Sequence, residues 1–158
     1  MNERSVLKIT SGGQTGADRA AMDFALRHGF ESGGFVPLGR SAEDGKIDEK
    51  YPGLIETAGD DPAERTELNV LNSDATLIIS HGPLTGGTLL TRNLAVKFRR
   101  PHLHIDLGKF SERNATIEAR RWLKMICPNS LNIAGPRASE DSEIYCAVTN
   151  LLEAILVN

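Results

Sequence analysis

Two glycine-rich segments are the clearest candidates for a binding site in this sequence. Segments 11–16 (SGGQTG) and 81–88 (HGPLTGGT) each follow a short apolar run and precede a helical pattern. Glycine has no Cβ, so backbone N–H groups in such turns can approach an anion closely, and the following helix start adds positive partial charge. We therefore predict a phosphate-type ligand held by Gly12, Gly13, Gln14, Thr15, Gly16, Gly86, Gly87, Thr88 and Thr91.

The charge at the helix starts indicates which turns bind the anion. The helix after the second turn begins with no acidic residue, so its positive end is free for a ligand. The last helix opens instead with Glu140, Asp141 and Glu143. A glycine turn also has a plainer interpretation, a tight strand-to-helix connection without a ligand, and neither segment matches GxGxxG or GxxxxGK[ST]. We expect an anion against residues 12–16 or 86–88.

Three arginines are predicted to assist these turns. Arg19 lies in the first turn of the first helix, and Arg40 lies in a Gly-Arg-Ser sequence within a long loop. Arg65 precedes Asn69 by four residues, so the two share a helix face. Arg137, after the last strand, is a further candidate. The alternative for each arginine is a solvated surface side chain.

No catalytic residue and no metal site is predicted. The sequence contains neither GxSxG nor HExxH. His102 and His104 alternate on a strand, so they share a face and could bind a metal, but no carboxylate partner is visible. The alternative is that they belong to a partly exposed strand end. His81 follows the central strand and could act as an acid or base. The carboxylates near the turns show no pairing in the sequence; they are Asp18, Glu43, Asp44 and Asp74.

The elements that position these residues alternate between strands and helices. Apolar, β-branched runs predict strands at 6–10, 34–36, 75–80, 103–106 and 131–134. Helical spacing, with capping signals at Gly29 and at Asp61-Pro62, predicts helices at 17–28, 62–72, 88–99, 111–126 and 140–156. This alternation indicates an α/β fold with a parallel sheet of about five strands between two helix layers.

The order of the strands decides where a ligand binds. We predict the order 2-1-3-4-5, in which the direction of the sheet reverses between the first and third strands. Ligands of open parallel sheets bind at such a reversal, and these two strands are the ones followed by glycine-rich turns. Residues 37–60 are predicted to form a long surface loop, and loops of that length in a small domain are usually functional.

Composition restricts the class of protein. The chain has 158 residues, 40% of them hydrophobic and 25% charged, which predicts one globular domain over residues 1–158. The net charge of −3 argues against a nucleic-acid binder. No apolar run approaches the ~20 residues needed to cross a membrane, and the start of the sequence lacks the long apolar run of a signal peptide. Cys127 and Cys146 form no CxxC pair, so we expect reduced thiols and a cytoplasmic location.

Seven motifs spread over nearly the whole chain together resemble those of a known family. They are 11–20 (SGGQTGADRA), 39–45 (GRSAEDG), 56–57 (ET), 65–66 (RT), 72–78 (NSDATLI), 86–91 (GGTLLT) and 135–139 (GPRAS). In these motifs the chain is similar to the molybdenum-cofactor carrier proteins. That resemblance implies a Rossmann-like three-layer α/β/α sandwich related to the lysine-decarboxylase-like and cytokinin phosphoribohydrolase superfamily. It also implies an oligomer and a ligand, the molybdenum cofactor, which is a pterin with a terminal phosphate and a dithiolene-bound molybdate.

One departure from the phosphoribohydrolase relatives bears on function. Their motif resembles PGGxGTxxE, with a glutamate needed for cleavage of a glycosidic bond. Here Gly87 and Thr88 match the GT, and Thr91 stands at the glutamate position. A hydroxyl cannot replace that carboxylate at neutral pH. The resemblance therefore favours a non-enzymatic carrier of a phosphorylated cofactor; the alternatives are a nucleotide-processing enzyme and a nucleotide-sensing module.

Apolar residues on two helices indicate self-association. The third helix has apolar residues on more than one stripe, and so does the last. Apolar surface that a sheet cannot cover tends to lie in subunit interfaces. We expect a homodimer or homotetramer, and the alternative is a monomer in which these side chains wrap the sheet edges. The residues concerned are Leu89, Leu90, Leu94, Val96, Phe98, Ile144, Tyr145, Val148, Leu151, Leu152, Ile155 and Leu156.

Overall fold

Strands and helices alternate along the chain in the computed structural model, which describes residues 6–158. The helices are α1 (Ala17–His28), α2 (Pro62–Leu71), α3 (Gly86–Lys97), α4 (Glu112–Ile126) and α5 (Ile144–Leu156). The strands are β1 (Lys8–Thr10), β2 (Glu31–Val36), β3 (Ser41–Ala42), β4 (Gly45–Lys46), β5 (Leu54–Glu56), β6 (Ala75–Ser80), β7 (His102–Asp106) and β8 (Ser130–Ala134).

Local sequence signals set the helix ends. Helix α1 ends at Gly29, whose φ of 70° suits a residue without a Cβ. Helix α2 begins after Asp61, whose side chain accepts the N–H of Ala63 at 2.9 Å, with Pro62 in the first position. Helix α5 begins at Ile144 and not at residue 140 as predicted, because residues 137–143 form turns closed by backbone bonds to Arg137 O.

A six-stranded parallel sheet forms the centre of the molecule, in the order β5-β2-β1-β8-β6-β7. The predicted order was wrong: β8, the last strand, lies between β1 and β6. The physical reason is burial. Residues 131–134 of β8 are buried, as a central strand requires, whereas residues 102–104 of β7 are half-exposed, as an edge strand permits. The strands that precede the two glycine-rich turns are therefore not neighbours but are separated by β8.

The segment 37–60 is more ordered than a surface loop. It contains the β3–β4 hairpin and the edge strand β5, which pairs with β2. No strand pattern is visible in this part of the sequence because these strands have only two or three residues and β5 is partly exposed. Ile47 and Tyr51 anchor the segment by packing against Met22 of α1 and Val36 of β2.

Two helix layers cover the sheet and complete the predicted Rossmann-like α/β/α sandwich. Helices α1 and α4 both contact α5 in one layer, and α2 contacts α3 in the other. The apolar stripe of α5 is covered within the chain, since Ile144, Val148, Leu151 and Leu152 all lie in the core. Within residues 6–158, no helix combines the length and the apolarity that crossing a bilayer requires.

Candidate functional site

A cleft of about 260 Å³ lies at the carboxyl ends of the central strands. Both glycine-rich turns contribute to it, together with one face of α2 and the loop that follows β8. Because β8 separates the two turns, the cleft lies across the ends of three strands, β1, β8 and β6, and not between two neighbouring strands as predicted. The lining residues are Gly12, Gln14, Asp18, Pro62, Arg65, Thr66, Asn69, Gly87, Thr88, Thr91, Asn132, Ile133, Ala134, Gly135, Arg137 and Glu140.

The start of α3 presents free backbone donors to this cleft. Thr85 precedes the helix without a side-chain capping bond, and the first turn contains no acidic residue. The N–H groups of Gly86, Gly87 and Thr88 have no acceptor within the helix, as in the first turn of any α-helix. A Cβ built at Gly86 or Gly87 meets nothing within 4 Å, so the space beside these groups is open. An anion fits this arrangement.

Thr91 lies one turn further along α3. Its side chain is buried, and its hydroxyl donates to Gly87 O at 2.9 Å. The hydroxyl proton is thus used within the helix, and the oxygen keeps acceptor capacity toward the cleft. This hydroxyl therefore does not supply the carboxylate that the glutamate of the phosphoribohydrolase motif provides at this position.

The first glycine-rich turn is built around Asp18. Ser11 Oγ donates to the backbone oxygen of Asp18 at 2.9 Å, and Gln14 N–H donates to Asp18 Oδ2 at 3.2 Å. Gly12 leaves room for this contact: a Cβ there would lie 2.9 Å from Asp18 Oδ2 and would collide with the Arg65 guanidinium. The turn therefore places a carboxylate, not only backbone donors, in the wall of the cleft.

Burial determines the ionisation of Asp18. The residue is only 9% exposed, and this desolvation raises the pKa of its carboxyl to about 6. Arg65, 3.6 Å away, opposes the rise, and so do the Gln14 N–H and Arg19. Asp18 is therefore ionised above about pH 6 and protonated below it.

This raised pKa has a measurable effect on stability. The unfolded chain ionises Asp18 near pH 4, whereas the folded protein retains the proton up to about pH 6. Stability therefore falls as the pH rises through this window, by up to about 3 kcal/mol. We expect Asp18→Asn to raise the free energy of unfolding at pH 7.5 and to have little effect at pH 4, as measured by urea denaturation across this range.

Asp44 offers a control of opposite sign. Its carboxylate is paired with Arg19 at 2.9 Å, and this hydrogen bond lowers the pKa of Asp44. Asp44→Asn should therefore lower stability at neutral pH, with the difference shrinking in acid. Loss of stability at pH 7.5 in the Asp18 variant as well would contradict the assignment of a destabilising buried charge.

The face of α2 holds the cleft together. Arg65 donates to Gly12 O through Nη1 and to Pro62 O at 3.3 Å through Nε. Asn69, one turn later, bonds both backbone groups of Phe35, at 2.8 and 3.0 Å. Arg65 and Asn69 thus share a face of α2, as predicted. Their side chains also bond neighbouring segments, the first turn at Gly12 and strand β2 at Phe35.

The loop after β8 forms another part of the wall, and sequence reasoning weighed only Arg137 there. Arg137 bonds Glu140 at 2.9 Å, and both line the cleft. Glu43 of the hairpin connects this loop to the first turn, accepting from Thr15 Oγ1 and from the Ser139 N–H at 3.1 Å. The apolar pattern of residues 131–134 was the sequence signal that could have placed β8 at the sheet centre, and with it Glu140 in the cleft wall.

The structure brings half of the predicted binding residues into the cleft. Those that line it are Gly12, Gln14, Arg65, Gly87, Thr88 and Thr91, and those that do not are Gly13, Thr15, Gly16, Arg19, Arg40 and Gly86. Arg40 instead holds the hairpin, donating to the carbonyls of Ile47 and Asp48 at 3.1 and 2.8 Å. Arg19 pairs with Asp44. That these residues contact a ligand stays a prediction.

The histidines have partners of their own. His81 Nδ1 lies 2.6 Å from Asp141 Oδ2, which joins the second turn to the loop before α5. His104 Nε2 lies 2.7 Å from Ser80 Oγ. In the described part of the chain, no three His, Cys, Asp or Glu side chains are grouped so that they could hold a metal ion.

Comparison with known proteins gives two findings. Residues 9–156 match the circularly permutated YpsA SLOG family. A solved structure, that of a proposed molybdenum carrier protein from Syntrophus aciditrophicus SB, is 51% identical in sequence with a TM-score of 0.95, over 98% of this chain and 97% of that chain. No curated protein matches with significant similarity. The similarity to molybdenum carrier proteins seen in the motifs is thus confirmed at the level of the whole chain.

Proposed function

The chain belongs to the circularly permutated YpsA SLOG family, and on that premise we propose that it is a non-enzymatic carrier of a phosphorylated cofactor, the molybdenum cofactor being the first candidate. One observation supports the proposal most directly. The uncapped start of α3 faces the cleft with free N–H donors, no acidic residue and open space at Gly87.

The residues of the cleft fit a ligand with a terminal phosphate. Backbone donors of α3 would bind the phosphate, and the partly exposed Arg137 would add charge. Because no grouped metal ligands occur in residues 6–158, the protein offers no metal site of its own there. Molybdenum would enter as part of the cargo, held by the dithiolene of the pterin. The name of the 51% identical relative, a molybdenum carrier protein, supports molybdenum as part of the cargo.

The direct test is to identify what the purified protein contains. We expect mass spectrometry of protein from a host that makes the molybdenum cofactor to reveal a phosphorylated pterin. Crystals soaked in phosphate should show density against residues 86–88, where the free donors lie; the other predicted anion site, residues 12–16, contains the Asp18 carboxylate and should bind phosphate more weakly. Phosphate density confined to other surfaces, with no phosphorylated compound released on denaturation, would contradict the proposal.

A second candidate function, nucleotide processing, is favoured by the ionisable Asp18 carboxyl in the cleft. Thr91, at the position of the relatives' glutamate, argues against it because its hydroxyl is bonded to Gly87 O.

We expect no release of adenine from adenosine monophosphate at enzyme-like rates, measured by chromatography. Base release that survives Thr91→Ala but is lost in Asp18→Asn would establish the enzyme instead. Slow hydrolysis of adenosine monophosphate by the Thr91→Glu variant would indicate that the cleft is inherited from a phosphoribohydrolase that has lost its glutamate.

We further propose that the protein forms a homodimer or homotetramer. The breadth of α5 no longer supports this, because α1 and α4 cover its stripe. The outer face of α3 still does: Val96 is 59% exposed, and Leu89, seven residues earlier on the same helix face, is only half-buried. Light scattering at micromolar concentration should give a multiple of the 17.2 kDa chain mass. A mass equal to one chain contradicts the oligomer.

A further inference from the structure

The two sides of the cleft differ in what they can bind. The α3 side offers N–H donors, and the α1 side offers the Asp18 carboxylate. Because β8 lies between them, the strands β1 and β6 that lead into the two sides are two strand spacings apart, roughly 10 Å. A phosphate is attracted to the first side and repelled by the second. A ligand that spans the cleft must therefore have an anionic end and an end that donates hydrogen bonds.

Asp18 has unused capacity as an acceptor. A carboxylate has about four lone-pair sites. Within residues 6–158, its two polar contacts are the Gln14 N–H and the Arg65 guanidinium, and both are on Oδ2. Oδ1 accepts no hydrogen bond from those residues. Arg65 favours the ionised form, so the cleft wall contains a largely buried carboxylate whose Oδ1 is available to a ligand.

We propose, on the basis of the carrier function above, that Asp18 is a specificity-determining residue that selects a ring with two adjacent N–H donors. The 2-amino-4-oxo edge shared by guanine and pterins is such an edge: the ring N–H and the exocyclic amino group donate in parallel to one carboxylate. Adenine places an acceptor beside its amino group, and hypoxanthine lacks the amino group. Both rings leave a carboxylate oxygen without a donor.

The wild-type protein already tests this selection. Guanosine monophosphate and inosine monophosphate differ only in the 2-amino group. Calorimetry near pH 8, where Asp18 is ionised, should show the guanine nucleotide binding roughly 10-fold more tightly. Adenosine monophosphate should bind no better than inosine monophosphate. Equal binding of the guanine and inosine nucleotides would overturn the proposal.

An amide at position 18 tests the residue itself. Asp18→Asn keeps the size of the side chain but replaces one acceptor by a donor, so the guanine-to-inosine preference should fall to about one. Inorganic phosphate should bind as in the wild type or more tightly. Asp44→Asn, a carboxylate outside the cleft that is paired with Arg19, should leave the preference unchanged. A preference that survives in Asp18→Asn would refute the assignment.

Two further probes separate this inference from the carrier proposal. Guanosine against inosine, without phosphate, reports on the ring site alone, whereas inorganic phosphate reports on the α3 site alone. Failure of phosphate to bind rejects the carrier function, and failure of the ring preference rejects the role of Asp18. A competition between guanosine monophosphate and 6-hydroxymethylpterin phosphate then identifies the source of the ring: both present the edge that Asp18 selects, so a difference in affinity reports on how the rest of the cleft fits each ring. Displacement of both by adenosine monophosphate at equal concentration would overturn the proposal.

Discussion

Gly87→Asp is expected to abolish anion binding while leaving the fold intact. Gly87 lies in the first turn of α3, has no neighbour within 4 Å of a built Cβ, and lines the cleft. An aspartate there would place a negative charge about 4 Å from the bound anion, which costs roughly 4 kcal/mol at an effective dielectric constant of 20, or about 1,000-fold in affinity. Calorimetric titration with phosphate or a phosphorylated ligand measures the loss.

Stability separates this effect from misfolding. Replacing a helical glycine reduces the entropy of the unfolded chain, and a carboxylate at a helix start interacts favourably with the dipole. The melting temperature of Gly87→Asp should therefore equal or exceed that of the wild type. Gly87→Asn, which has the same size and no charge, should lose far less affinity. Equal losses in the two variants would mean that shape and not charge excludes the ligand.

Gly16→Ala is expected to cause the largest loss of stability among single methyl additions at the first turn. Gly16 has a φ of 75°, and a Cβ there would lie 2.5 Å from Pro136 O and 2.8 Å from Ala138 N. Those atoms belong to the backbone and cannot rotate away. Backbone strain and the displaced loop together should cost about 3 kcal/mol or more. Thermal denaturation should show a fall of roughly 6–12 °C.

Gly39 provides the matched control for Gly16. Its φ of 83° is similarly positive, but a Cβ there meets nothing within 4 Å. Gly39→Ala should therefore cost only the backbone term, about 1 kcal/mol. If both variants lost the same stability, the contact between the first turn and the loop after β8 would have no energetic role.

Local patterns predicted the elements well because local interactions determine them. Helix α1 has the predicted bounds since Ala17 begins the apolar spacing and Gly29 can adopt a left-handed conformation. Asp61 and Pro62 fix the start of α2 in the same way. The strand order was predicted wrongly because burial and crossover geometry determine which strands pair, and both depend on residues far apart in the sequence. Short strands such as β7 and β8 contain too few residues to show these preferences clearly.

The candidate site was predicted in part for the same reason. Gly87, Thr88 and Arg65 were found because turn composition and helix spacing are visible in the sequence. Arg40 does not line the cleft, and its guanidinium bonds the hairpin carbonyls of Ile47 and Asp48, a role that its charge and its loop position do not reveal in the sequence. Asp18 was noted without a role because its burial, and hence its ionisation, depends on Arg65 and on the packing of α2 against the first turn.

The position of β8 has a consequence for biosynthesis. The half-sheets β5-β2-β1 and β6-β7 are joined through β8 alone, so both keep an open inner edge until residues 130–134 leave the ribosome. Exposed edges of this kind pair readily with other chains. The cleft spans the same three central strands, so no ligand of the cleft can stabilise a nascent chain before that point. Premature termination ahead of β8 should therefore yield an aggregating product and not a partly active one, and chaperone dependence should be greatest until β8 has been synthesised.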